Sequence, residues 1–483
     1  MLLVLAFRHL LVRKGRSLVL LLGFSLGVGV MIVLLSVGEA MLAQSRDVAL
    51  VGGGEVTVLP EGIDIEAMRT GGVTGMFFGI DRARYLTRQL LGGPRQRPMV
   101  ASVAPAIENK LVYLRANGRT VATRAGGEIP SRARQVGAAL ALVAGRWDDT
   151  PADLAYVSPT SQQLYDELDH FHLPTVPDST WAEWHYFNVV TAPDEWWYVT
   201  LLVGGAVPAG KWGGQLLVTH RRPDGRYERF ADQVPAASIR FDTAAADLTL
   251  GSSLVRQRLG IYQVSARVAG RLELDFTLRP APNRYFPAAE LRAEPFVSGY
   301  VVPGLSGSVD GRFCADGRCR SVTGAAGYHD HNWGVWRAVT WEWGVAHGAL
   351  YDVLYGGVRT ADSAAGGAPL FLMAADSLGI RQVLRFRDVR YSGALATRTG
   401  GVPAPSAFAL TAAREGDTVR LAVEVRDALA SRSAAAGFHR YFIQMRGGFR
   451  LTGRLAGDAV ADSGAGFFET WRKGGKAGRR KGE

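Results

Sequence analysis

The sequence predicts a mainly β fold, with two consecutive β-barrel units following one transmembrane helix and a small α+β region. Three observations carry this. From about residue 175 onward the chain breaks into short runs rich in Val, Leu, Tyr, Phe and Trp, separated by Gly, Pro, Asp and Asn, the texture of strands joined by tight turns. Near the N-terminus, Ser17 to Gly38 is 22 residues without a charge. The length, 483 residues at 52.0 kDa, exceeds one domain, and the strand-rich part alone exceeds one small barrel of about eight strands.

The apolar segment reads SLVLLLGFSLGVGVMIVLLSVG between Arg16 and Glu39. At about 1.5 Å per residue it crosses a hydrocarbon core of roughly 30 Å. It exceeds the usual signal-peptide core, and GEAMLAQS offers no clean small-x-small cleavage site, so an uncleaved anchor is expected. Arg8, Arg13, Lys14 and Arg16 precede it. The positive-inside rule then leaves the N-terminus in the cytoplasm and the body outside, which means a single-pass inner-membrane protein with periplasmic domains.

The net charge is +11, and most of it sits in that N-terminal cluster and in a basic C-terminus (Arg472, Lys473, Lys476, Arg479, Arg480, Lys481). The body carries no basic stripe and no nucleic-acid motif, so no nucleic-acid partner is expected. Between Arg46 and Trp147, EVTVLP and KLVYLR read as strands and IDRARYLTRQLL as a helix. Gly71, Gly72, Gly75 and Gly79 lack the context of a phosphate loop and read as flexible chain. Residues 151–180, proline-bearing with one short helix, read as a linker.

Among the strand-like runs, Glu183-Trp184-His185-Tyr186 and Glu195-Trp196-Trp197-Tyr198 echo each other and read as adjacent strands. Cys314 and Cys319 flank an Asp316-Gly317 hairpin turn symmetrically. Opposed thiols outside the cytoplasm can pair, and the sequence leaves the bonded and free states both open.

The densest run of chemically capable residues is Gly327-Tyr328-His329-Asp330-His331-Asn332-Trp333-Gly334, followed by Trp336, Arg337, Trp341, Glu342 and Trp343. On a strand, Tyr328, Asp330 and Asn332 share one face, and His329, His331 and Trp333 share the other. If the Asp330 face points into a barrel, it sets a desolvated carboxyl beside a phenol among indoles. Such a carboxyl keeps its proton near neutral pH and can give it to an alkene or carbonyl. Trp341 and Trp343 would face the developing cation. In a second reading Asp330 is a structural carboxylate neutralised by a neighbour such as Arg337, and the tryptophans are core. His329 and His331 would form a metal site only if Glu183, Glu342 or His347 converged on them, so no metal and no cofactor is expected. No GxSxG elbow or HExxH helix is present.

Two resemblances bear on function. The Tyr-x-Asp-His-x-Trp-Gly segment, with EWWY at Glu195–Tyr198 and the late Gly466-Phe467-Phe468-Glu469, resembles the carotenoid 1,2-hydratase (CrtC) and AttH family from about Trp181 to the C-terminus. That resemblance implies two lipocalin-like β-barrel domains and cofactor-free addition of water to an isoprenoid double bond, as a hydro-lyase. It makes Asp330 the proton donor, with Tyr328 and a tryptophan, Trp333 or Trp341, shaping the site. Trp343, Asn332, Trp336, Trp197, Tyr198 and Trp184 are then expected to line the lipophilic substrate.

The segment AFRHLLVRKGRSLVLLLGFSLGVGVMIVLLSVGEAM resembles the first helix of FtsX/MacB-type ABC-transporter permeases, which implies transporter subunits as partners. The expected organisation is an N-terminus and anchor (1–45), a permease-like α+β region (46–150), a linker (151–180), two barrels (181–335 and 336–471) and a basic disordered tail (472–483). A competing function stays open: a non-catalytic binder of a lipid or hydrophobic metabolite serving an ABC-type export system.

Overall fold

A computed structural model describes residues 14–46, 56, 58, 80–136, 148–157, 162, 165–166, 169–174, 177–293, 296–336, 339–360, 370–397, 402–433 and 440–473. EVTVLP, apart from Val56 and Val58, the Gly71–Gly79 stretch, Arg337 and residues 474–483 lie outside these. Contacts divide the chain into two units, Met1–Phe78 with Ser102–Leu154, and Gly79–Ala101 with Ala155–Glu483.

In the first unit, helix α1 (Lys14–Arg46) contains an apolar stretch, Lys14–Ser36, long enough to cross a membrane. Its described side chains are almost all exposed, which suits a lipid-facing helix and not a core helix. A hairpin follows, β1 (Ala106–Ala116) with β2 (Arg119–Glu128), turning at Asn117-Gly118, where both residues take positive φ.

The second unit begins with α2 (Ile80–Gly92), where the sequence placed a helix. All its strands are antiparallel. The first sheet comprises β3 (Trp181–Ala192), β4 (Glu195–Ala206), β5 (Lys211–Arg221), β6 (Tyr227–Pro235), β7 (Ile239–Phe241), β8 (Asp247–Leu250), β9 (Ser253–Arg258), β10 (Ile261–Val268), β11 (Leu272–Pro280), β12 (Phe286–Ala293), β13 (Phe296–Ala315) and β14 (Arg318–Val335). The order is β6-β5-β4-β3-β14-β13-β11-β10-β9-β8-β7, with β12 on β13.

The second sheet comprises β15 (Val339–Gly348), β16 (Asp352–Thr360), β17 (Leu370–Asp376), β18 (Gly379–Phe386), β19 (Val389–Ser392), β20 (Ala407–Arg414), β21 (Asp417–Ser433), β22 (Arg440–Leu455) and β23 (Asp458–Lys473). It runs β18-β17-β16-β15-β23-β22-β21-β20-β19 and closes on itself through β18–β20. In each sheet the first strand pairs with the last, β3 with β14 and β15 with β23, and both sheets are barrel-like, the first with β6 and β7 at the ends of its strand order. The EWHY and EWWY echoes lie on the adjacent strands β3 and β4.

Strand alternation produces three apolar layers. The inner face of the first sheet buries Phe187, Val189, Leu201, Tyr262, Leu274 and their neighbours. The second barrel buries Tyr355, Leu372, Leu421, Phe449 and Phe468. A third layer lies between the barrels and takes the outward side chains of both, among them Tyr198, Tyr300, Tyr328, Trp343, Phe371 and Phe467. The β13–β14 hairpin turns at Asp316-Gly317 with φ of 44° and 78°, the double positive φ of a type I′ turn that favours glycine in the second place. Cys314 and Cys319 face each other across it and are joined by a disulfide.

Inside the second barrel Glu342 accepts hydrogen bonds from Tyr391 and from Thr470 at 3.2 Å. Burial pushes its pKa up to about 7 against those two bonds. A carboxyl raised in the folded state holds its proton more tightly than in the unfolded chain. Its contribution is therefore present at low pH and lost as pH rises from the ordinary glutamate value through about 7. Glu342→Gln should lose about 2 to 3 kcal/mol less stability than the parent between pH 5 and 8. Parallel denaturant titrations at the two pH values check this.

Candidate functional site

β14 carries the chemistry, and its two faces enter different layers. Tyr328, Asp330 and Asn332 point out of the first barrel into the layer between barrels, where Tyr328 packs with Trp343 and Tyr300. His329 and His331 point inward, and His329 stacks on Phe187 at 4.2 Å. The pairing expected from sequence holds, but the inside is reversed. Asp330 is not in a barrel lumen. The reason lies in the register: Asp330 sits opposite Tyr186 on β3, and His329 opposite Phe187, so the apolar Phe187 side fills the barrel.

Asp330 is 2 % exposed. Tyr328 donates its hydroxyl to Asp330 Oδ2 at 2.7 Å, and Asn332 donates its amide to Oδ1 at 2.7 Å. Trp343 Nε1 donates in turn to the Tyr328 hydroxyl at 3.1 Å. Among the described residues no arginine or lysine pairs with Asp330, and Arg337 lies outside them. Burial pushes the Asp330 pKa up to about 8, against the Tyr328 and Asn332 bonds that favour the ionised form. Burial, with Asp330 beside it, pushes Tyr328 well above the usual phenol value.

A second carboxyl, absent from the sequence-based set of site residues, shares this layer. Glu469 accepts from Tyr186 at 3.2 Å, from Trp341 Nε1 at 3.2 Å and from Gln444 at 3.3 Å. Burial raises its pKa against these three donors. Glu469 sits opposite Trp343 in the β15–β23 register, so Trp341, Trp343 and Glu469 share the outer face of the second barrel and meet the outer face of the first. The FFE run quoted for the resemblance held the signal; pairing it with a strand from the first barrel required the fold.

Of the expected residues, Tyr328, Asn332, Trp343, Trp341, Trp336, Trp184 and Tyr198 all reach this layer. Trp336 contacts Trp341 at 5.5 Å and Trp184 at 4.7 Å, and Tyr198 stacks with Tyr186 at 6.1 Å between ring centroids. Two do not reach it. Trp333 lies on the histidine face, stacked on His172 at 3.6 Å. Trp197 faces inward, stacked on His220 at 3.6 Å, and lines a cleft of about 210 Å³ with Glu195, Phe313 and Cys319. Both are displaced by the two-residue period that brings the others in.

On the inner face, His331 is held between two carboxylates. Its Nδ1 contacts Asp169 Oδ1, and its Nε2 lies 2.7 Å from Glu183 Oε1. Burial opposes its charge, but Asp169 and Glu183 prevail and raise its pKa to about 10. Glu183 also accepts the His172 backbone N–H at 2.9 Å. Of the three residues proposed to join the histidines, Glu183 does so. Glu342 lies inside the second barrel, and His347 pairs with Asp352 at 3.0 Å. Asp169 and His172 come from the segment read as a linker, whose Asp-His-Phe-His run was the available signal.

The chain matches no protein-family profile and no curated protein. Solved structures with a similar chain path include an AttH-like protein from Nitrosomonas europaea, at TM-score 0.44 and 16% identity, covering 62% of this chain and 97% of that one. CghA with Sch210972 gives 0.45 and 14%, covering 64% and 95%. Kievitone hydratase from Nectria haematococca gives 0.41 and 12%, covering 63% and 94%. At this distance they assign no residue a role.

Tyr328→Phe removes a bond to Asp330 and leaves the buried Trp343 N–H without its acceptor. It should cost about 1 to 3 kcal/mol of stability, read by denaturant titration; an unchanged midpoint would mean the phenol does not tie the two barrels together.

Proposed function

We propose that the protein is a membrane-anchored, cofactor-independent hydratase that adds water to a C=C bond of an isoprenoid or carotenoid-like lipophile, with Asp330 as the proton donor. One observation carries this reading: a buried carboxyl, hydrogen-bonded by Tyr328 and Asn332, in an aromatic layer between two barrels. The resemblance of the Tyr328–Gly334 segment to the hydratases supports it. So does the apolar helix at Lys14–Ser36, which would hold the barrels beside the bilayer where such substrates dissolve. The N-terminus would lie in the cytoplasm and the barrels in the periplasm. The permease-like start of the chain supports ABC-transporter subunits as neighbours.

In this reaction the Asp330 proton adds to the less substituted carbon of the double bond, and the π pair becomes the new C–H bond. The tertiary carbocation left behind faces Trp341, Trp343 and Tyr186, whose ring faces are electron-rich. Water donates a lone pair to the cation, and its surplus proton returns to Asp330 directly or by way of Glu469. The net change is the addition of one water, and the catalyst is restored.

Incubation of the purified protein with terminal isoprenoids should yield products heavier by one water in the mass spectrum. Asp330→Asn should slow their formation by about 10²- to 10⁴-fold while the lipophile still binds. Binding without turnover in both proteins would replace the hydratase reading with that of a carrier.

A further inference from the structure

We infer that the interior of the first barrel binds a divalent transition-metal ion of the zinc class through Asp169, His185 and His329. One ligand atom from each lies within 4.8 Å of the other two, and all three residues are buried. His329 Nδ1 lies 3.0 Å from the Tyr186 carbonyl, so the ring donates that N–H outward and turns Nε2 toward the trio. That nitrogen faces Asp169 Oδ2 at 3.5 Å. His185 Nδ1 and His329 Nε2 have no hydrogen-bond partner among the described residues.

Two buried ring nitrogens that meet no hydrogen-bond partner, beside a buried carboxylate, cost free energy. A cation between them turns that cost into two bonds. The 3.5 Å separation is close to the roughly 3.4 Å edge of a tetrahedron built on metal–ligand bonds of about 2.0 to 2.1 Å. Two imidazole nitrogens and one carboxylate oxygen favour zinc and its first-row neighbours over calcium or magnesium, which prefer all-oxygen sites.

The surroundings supply the outer shell that orients such ligands. The Tyr186 carbonyl fixes the His329 tautomer. Tyr262 donates to Asp169 Oδ2, and His331 holds Oδ1. The neighbouring trio His172, Glu183 and His331 also has ligand spacing, but its members are already bonded to one another or to Asp169. The first trio is therefore the site. Phe187 and Tyr262 pack against the His329 ring at 4.2 Å and 4.5 Å. The ion would be structural, pinning Asp169, from the segment before β3, to β3 and β14.

The test is elemental analysis of the full chain, purified in detergent without a histidine tag from zinc-supplemented cells, followed by chelation and refilling with Co²⁺. About one equivalent of zinc per chain is expected, with a visible d–d absorption on cobalt substitution. His185→Gln and His329→Gln should each lower occupancy by about tenfold or more, while His347→Gln, in the second barrel, should keep it. If a variant fails to fold, the cobalt titration of the parent decides. A parent chain with no stoichiometric metal and no cobalt spectrum would overturn the site. So would ligand variants as fully loaded as the parent, or a metal lost only with His172→Gln.

Discussion

The two-residue alternation of β14 from Ala326 to Val335, held in unbroken register against β3, is the constraint on which the rest depends. Because successive side chains enter opposite layers, one strand delivers His329 and His331 to the first barrel's interior and Tyr328, Asp330 and Asn332 to the layer between barrels. A slip of one residue would exchange the two sets and place an imidazole pair against Trp343. The register against β3 is fixed by ring partners, Phe187 inward and Tyr186 outward.

The same rule in the second barrel brings polar groups as well as rings into the layer between barrels. β15 sends Trp341 and Trp343 outward and Glu342 inward, and β23 sends Glu469 outward and Thr470 inward. Each barrel therefore contributes one carboxyl and several rings to a common layer, and neither contributes an arginine or lysine to Asp330 among the described residues. Buried carboxyls without a counter-charge are costly, and such cost tends to be kept where it serves chemistry. The inner histidine cluster follows the opposite logic. There His331 lies between Asp169 and Glu183, so each of these buried carboxylates faces an imidazole within the barrel.

Much of this was legible in the sequence because it is local. Strand texture, the charge-free helix, the Asp316-Gly317 turn and the face-sharing of Tyr328, Asp330 and Asn332 all follow from neighbours within a few residues. The direction of that face was not legible. Inward and outward faces of β14 are both apolar-rich, since the outer one is covered by a second barrel, so periodicity alone could not choose between them. Trp333, which alternation put on the histidine face, entered the expected site only through the resemblance. Glu469 and Tyr186 meet across 283 residues of chain, and Asp169 enters the barrel from a stretch whose prolines and polar residues read as a connector. These are contacts of topology, to which spacing rules are blind.

The central claim is that the lipophile is handled between the barrels and not inside either one. Photo-crosslinking the full chain with a diazirine-bearing isoprenoid, with labelled peptides mapped by mass spectrometry, tests it most directly. Label concentrated on the outward residues Tyr186, Tyr328, Trp341 and Trp343 is the predicted result. Label on Phe187 and Tyr262, or on Tyr355 and Phe408, would place the ligand within a barrel and contradict the account.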